Sequence, residues 1–344
     1  MERNFDLFEI LIKGVDEWNN WRIQNKKFDI DLSYKNLSGF NLKSINLNGA
    51  NLKKSDLSET NLNGANLLNA NLEGANLQKS ILYKAILIDA NLMNSNLKEA
   101  NLMKANLKGA KLSNSILESA KLNDADMSDV DLRNSDLSNA DLTDTILNGA
   151  NLNNVTLHYA IMIRADISVA DLTNADLRGA NLAVARCIET NFEFSNIENA
   201  CVYGISVWDI KTNGLKQKNL IITRDNEAVI TVDNLEVAQF IYLMLNNEKI
   251  RDVIGTIAKK GVLILGRFTP ERKKILDAIR EKLRESDFVP MMFDFEKISS
   301  RDFTETIKIL AGMSRFVIAD ISNPKAVRSN FKQLFLIIKY RSYP

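Results

Sequence analysis

From Leu32 to Val207 every fifth residue is apolar, thirty-six consecutive positions without a slip in register. Most are Leu; the exceptions (Met127, Met162, Ile167, Cys187, Phe192, Ile197, Val202 and Val207) gather towards the end of the run. Two residues before each stands a mostly small side chain, such as Ala50, Ser55, Thr60 and Ala65, and between the two lies usually Asn or Asp. A period of five fits neither the roughly 3.6-residue turn of a helix nor the two-residue alternation of a strand. A repeat that supplies one large and one small inward residue per unit suits a solenoid.

The A(N/D)LXX pattern, as in "ANLNNV" and "ADLRGANL", resembles the pentapeptide-repeat family. That resemblance implies a right-handed quadrilateral β-helix with four pentapeptides per coil. The thirty-six units then make about nine coils, and at a strand spacing of roughly 4.8 Å the rod is about 40 Å long. The β-helix is expected over residues 28–207.

The chain has 344 residues, 25% of them charged, with a net charge of +1. It starts "MERNFDLFEILIK", without the basic flank and long apolar core of a signal peptide, and no membrane span is expected. Two Cys, Cys187 at an inward position and Cys201 at an outward one, offer no disulfide framework and imply a reduced, cytoplasmic setting. His158 is the only histidine, which argues against a His/Cys metal site or a Ser–His–Asp triad. Residues 5–24 carry Phe5, Phe8, Leu11, Ile12, Val15, Trp18 and Trp21 at helical spacing. A solenoid end needs a cover, so residues 1–27 are read as a helical cap.

Charge along the rod is uneven. Residues 28–121 hold 11 Lys/Arg against 8 Asp/Glu, and residues 122–207 hold 4 Arg against 13 Asp/Glu. With four pentapeptides per coil, Asp136 and Asp176 share one face, and Asp126 and Asp166 another. The pentapeptide-repeat resemblance admits a DNA-mimic that binds a type II topoisomerase; the basic first half argues against mimicry along the whole rod. Direct nucleic-acid binding is not expected.

Residues 208–260 read as a linker with short β-like runs (Leu220 to Thr223, Val229 to Val232), then two apolar helices. Asp233 is expected to cap the first, with Glu236 completing a capping box. The helices are expected to dock or dimerise. From Gly261 strands ("VLILG", "FVPMMFDFE", "RFVIADIS") alternate with helices, which implies a parallel α/β sheet in residues 261–344. Ligands of such sheets sit at the carboxyl ends of the strands.

The segments "VLILGRFTPERKKILDAIREKL", "FDFEKISSRDFTETI" and "RFVIADISNP" resemble TIR-like nucleotide-binding domains of bacteria, here in a shortened version. The resemblance implies binding or cleavage of an NAD-type nucleotide, or protein assembly, in signalling or defence against phage. Gly266, Arg267, Ser299, Arg301 and Asp320 are the expected nucleotide contacts. A TIR domain that cleaves NAD carries a Glu on the helix after the third strand, and the matching stretch "NPKAVRSNFKQLFLIIKY" has no acid. Asn330 or Gln333 falls near that place, and Asp294 is a further acid–base candidate; an amide cannot supply the missing charge, which weighs against a strong NAD nucleosidase. The leading expectation is an effector whose rod assembles the TIR-like module, with self-association through the helical segment or that module. The alternatives are a non-enzymatic scaffold, with a protein partner on the rod, and the topoisomerase-binding mimic.

Overall fold

The computed structural model describes residues 7–26, 28–224, 227–266, 270–294 and 310–319. Two compact units emerge, Met1–Tyr242 and Leu243–Pro344.

The first unit is a β-helix solenoid. Parallel bridges join residues twenty apart, Asp31 to Asn51, Asn51 to Asn71 and onward to Cys201 with Ile221. Each coil is therefore four pentapeptides, and the residues at the Asn/Asp position form four columns that begin at Asp31, Asn36, Asn41 and Asn46. The central Leu N–H donates outward to the next coil, as Leu32 does to the Asn51 carbonyl at 2.8 Å, while the Asn51 N–H returns to Ile30 O at 2.7 Å. Each pentapeptide then turns: the Ala50 N–H reaches back to Leu47 O at 3.0 Å, with Gly49 between them at φ 68°. That left-handed corner recurs in every unit and is filled mostly by residues other than Gly.

Inside, the central apolar residues and the small residues two places earlier are fully buried, for instance Leu102 and Ala100 at 0% exposure. Buried hydroxyls among the small residues find carbonyls. Ser135 Oγ donates to Leu132 O at 2.5 Å and Leu112 O at 3.0 Å, and Thr60 Oγ1 to Leu37 O in the preceding coil at 2.8 Å. Near the end the coils tighten into short strands, β1 (Arg186–Ile188) and β2 (Ser206–Trp208), paired parallel. Bridging continues beyond the apolar register, which stops at Val207: Lys211, Lys216 and Ile221 still pair with the coil before them. Backbone pairing survives there although Thr212 and Gln217 occupy the Leu position.

Both ends are closed by helices whose side chains replace a missing coil. The amino-terminal cap is two helices, not one: α1 (Leu7–Ile12) and α2 (Val15–Gln24) are separated at Gly14, whose φ of 120° suits Gly alone. Trp18 is fully buried and its Nε1 donates to Asn46 O at 2.8 Å. Asn19 Oδ1 accepts the Asn46 N–H at 2.8 Å, and Arg22 Nη2 donates to Asn48 O at 2.9 Å. At the other end β3 (Leu220–Ile221) and β4 (Thr231–Val232) pair antiparallel. Then α3 (Leu235–Asn246) begins, with Leu235 and Ala238 buried in the rod core. Its cap is Asn234, which accepts the Val237 N–H at 2.8 Å, and Asp233 instead accepts from Asn219 N–H. Asn234 wins because it stands one residue nearer the first turn. Gln239 Oε1 accepts the Val207 N–H, a donor of the kind that earlier coils give to the next coil.

In the second unit α4 (Glu248–Lys260), capped by Asn247, leads directly into β5 (Gly261–Gly266). There follow α5 (Pro270–Glu285), β6 (Val289–Asp294) and β7 (Phe316–Ala319). The sheet is parallel in the order β6-β5-β7. Leu263 and Leu265 bury on one side with Ala311, and Val262 and Ile264 on the other with Leu276. A strand apolar on both faces is what a helix-covered parallel sheet requires.

Candidate functional site

Two places hold candidate residues: the outer columns of the rod and the carboxyl ends of the short parallel sheet.

Along the rod, nearly every Asn or Asp of the repeat first serves its own turn, accepting the N–H two residues on; Asn71 takes that of Glu73 at 3.2 Å. Asn has an amide left over and uses it between coils, so Asn91 donates to Asn71 at 3.1 Å and Asn51 to Asp31 at 3.0 Å. Asp lacks that donor and needs one from elsewhere. All nine Asp at this position are followed two residues later by Ser, Thr or Arg. Ser128 Oγ and Ser138 Oγ donate to Asp126 and Asp136 at 2.6 Å, and Thr143 Oγ1 to Asp141 at 2.7 Å. Arg133 and Arg178 chelate Asp131 and Asp176. This rule was visible in the sequence as Asp followed two residues later by Ser, Thr or Arg and escaped a reading of Asp as a mere variant of Asn.

Several of the carboxylates are held charged as well as still. The Arg133 guanidinium keeps Asp131 below the ordinary carboxylate range. Burial works against ionisation at Asp141 and Asp176, yet the donors Thr143 and Asn123, and Arg178 and His158, outweigh it and lower both. Arg164 in the next coil does the same for Asp144, bonding it at 2.7 and 2.5 Å. His158 lies on the Asn36 face with Nε2 2.5 Å from Asp176 Oδ2. Asp131 and Asp171 stand two coils apart in the first column, Asp136 and Asp176 likewise in the second.

In the sheet, Gly266 ends β5 and Asp294 ends β6, and the two are register partners. The structure thus brings together two of the predicted site residues. Arg267, Ser299, Arg301, Asp320, Asn330 and Gln333 lie outside the described residues. No group of His, Cys, Asp and Glu among the described residues is placed to hold a metal ion, and no described helix is long and apolar enough to cross a membrane.

The model of the family "Pentapeptide repeats" matches in eight copies, over residues 30–69, 60–98, 70–109, 100–139, 135–168 and 170–208. The chain belongs to the pentapeptide-repeat family. Solved pentapeptide-repeat structures are similar. HetL, involved in heterocyst differentiation regulation in the cyanobacterium Nostoc sp. strain PCC 7120, is 28% identical over 62% of this chain and 97% of its own, with a TM-score of 0.27. QnrB1, a plasmid-mediated fluoroquinolone resistance protein, is 16% identical over 54% of this chain and 91% of its own, with a TM-score of 0.32. A pentapeptide-repeat protein of the Arabidopsis thaliana thylakoid lumen is 28% identical over 31% and 68% respectively, with a TM-score of 0.18. No curated protein matches.

Proposed function

We propose that the pentapeptide-repeat rod is a non-enzymatic protein-interaction platform, and that its acidic half takes a basic protein surface on the two adjoining faces that begin at Asp31 and Asn36. The observation that carries this is the fixed geometry of Asp131, Asp136, Asp171 and Asp176, each carboxylate locked to the N–H two residues on. A partner meeting such a surface gains charge complementarity without first ordering flexible side chains. A photo-crosslinking residue at Asn139, beside Asp136, should capture one protein in cells, and the same residue at Lys54 in the basic half should not. Equal capture from both positions, or capture at Asn139 that persists when all four Asp are changed to Asn, would sink the proposal.

A second reading concerns the α/β unit, which resembles TIR-like nucleotide-binding domains in its sequence. The strand order β6-β5-β7 favours it, because the chain leaves β5 for one neighbour and returns to the other side. In α/β folds such a reversal marks the carboxyl end of the central strand, here Gly266, as the place where nucleotides bind. An effector then uses the rod to assemble the module. Calorimetry of the full chain with NAD⁺, alongside NAD⁺ consumption at rising protein concentration, tests it. Binding abolished by Gly266→Val supports the nucleotide site; no binding at millimolar NAD⁺ removes it.

A further inference from the structure

The corner column that follows the Asn41 face reads Lys84, Lys104, Asp124, Asp144 in successive coils. Two positive charges followed by two negative ones, at one coil each, make an edge that complements itself when reversed. We propose that this edge, with the Asn46 face beside it, pairs with a second copy of the chain in an antiparallel two-fold dimer.

The two-fold lies level with the gap between Lys104 and Asp124. It sets Lys104 against Asp124 of the other copy and Lys84 against Asp144, and by symmetry each contact occurs twice. The same operation sets Ile86 against Ile146, which follow Lys84 and Asp144 by two residues on the Asn46 face. These are large apolar side chains left in water, 40% and 45% exposed. Neighbouring positions agree. Asn106 meets Asp126, Lys108 meets Ser128 between Asp126 and Asp129, Ile88 meets Asn148, and Asp89 meets Gly149. No two like charges oppose one another in these coils. Lys84, Lys104 and Asp124 are exposed, and Asp144 is half-buried beside Arg164. Arg164 itself falls opposite Gly64, so its charge meets no cation. Single surface ion pairs contribute little; here at least four act together around two desolvated Ile–Ile contacts, and like-charge avoidance sets the register. The faces beginning at Asp31 and Asn36 stay open, so this dimer is independent of the partner proposed above.

Sedimentation velocity of the full-length protein tests the pairing. At low salt a dimer is expected, and roughly 1 M salt should weaken it at least tenfold. Lys104→Asp and Asp124→Lys should each raise the dissociation constant at least tenfold. The variant carrying both changes should restore the dimer, because the partner carries them too. Ile86→Cys and Ile146→Cys mixed under oxidation should give a one-to-one crosslinked pair, with neither crosslinking efficiently alone. A protein that is monomeric at all concentrations, a dimer indifferent to the charge reversals, or a double variant no better than the singles overturns the proposal. Circular dichroism confirms that each variant keeps its coils.

Discussion

The ring of Tyr159 lies over Gly179, one coil later in the same corner column: a β-carbon on Gly179 would fall 2.6 Å from Tyr159 Cε1. Phe194 covers Gly214 in the same way, at 2.5 Å. Bulk at one corner is thus accommodated by Gly at the next. Gly179 also has φ 68°, so Gly179→Ala meets both the left-handed penalty and the ring. A loss of about 1–2 kcal/mol is expected from the backbone alone, with a change in the aromatic circular dichroism as Tyr159 swings outward. Tyr159→Ala in the same chain should recover only the steric part, which denaturant titration of the three variants resolves.

Ser80 is the exception among the inward hydroxyls. It is fully buried and its Oγ has no hydrogen-bond partner, whereas Ser135 donates to two carbonyls. An unmatched buried hydroxyl costs on the order of 1–3 kcal/mol, and a typical bond contributes about 1 kcal/mol. Ser80→Ala should therefore raise the unfolding midpoint, and Ser135→Ala should lower it. A drop in both would show that Ser80 finds a partner in solution.

Leu102 faces the axis at the centre of the rod with no exposed surface. Leu102→Lys places a charge where neither water nor a counter-ion reaches, at a cost of several kcal/mol. Because each coil leans only on its neighbours, the damage should spread over adjacent coils rather than the whole chain. Hydrogen exchange should show lost protection near residue 102; near-native protection there would refute the inward register.

The coils were legible because the period of five repeats one instruction at every unit: Leu in, Ala in, Asn out, turn. What replaces a missing coil was not, since Gln239 and Trp18 act once each and by contacts remote in sequence. The polar rule relating Asp176 to Arg178 was present in the sequence but becomes meaningful only when the carboxylate is seen to lack the amide that Asn71 passes to Asn51. In the second unit, strands β5, β6 and β7 fall where apolar runs predicted them. Of the proposed site only Gly266 and Asp294 can be placed, and adjacency of strand ends is topology rather than chemistry.

Acid should reach the paired carboxylates only below the ordinary carboxylate range. Arg164 holds Asp144, and Arg133 holds Asp131, below the ordinary carboxylate range in the folded protein. A depressed folded value means that the contribution is complete above the unfolded value, about 3.9, and fades as pH falls through the folded one. Asp144→Asn should lower stability at pH 7 and converge with the parent protein as the pH drops well below 4. Urea midpoints measured from pH 7 to pH 2 check this, and a gap that widened on acidification would contradict it. Both side chains are partly exposed, so salt should shrink the gap at pH 7.

The carboxyl-terminal closure of the rod rests on Gln239, because the Val207 N–H is buried and Gln239 Oε1 is the acceptor it meets. Gln239→Leu keeps the volume and removes the acceptor, leaving that donor unmatched at a cost of about 1–3 kcal/mol. Gln239→Glu retains an acceptor and should restore much of the loss, which separates the hydrogen bond from packing. The direct readout is exchange of the Val207 amide, expected to quicken in Gln239→Leu while the Leu102 amide, five coils away, does not change. If Val207 exchanged at the parental rate in Gln239→Leu, α3 would be covering the last coil by apolar contact through Leu235 and Ala238 instead.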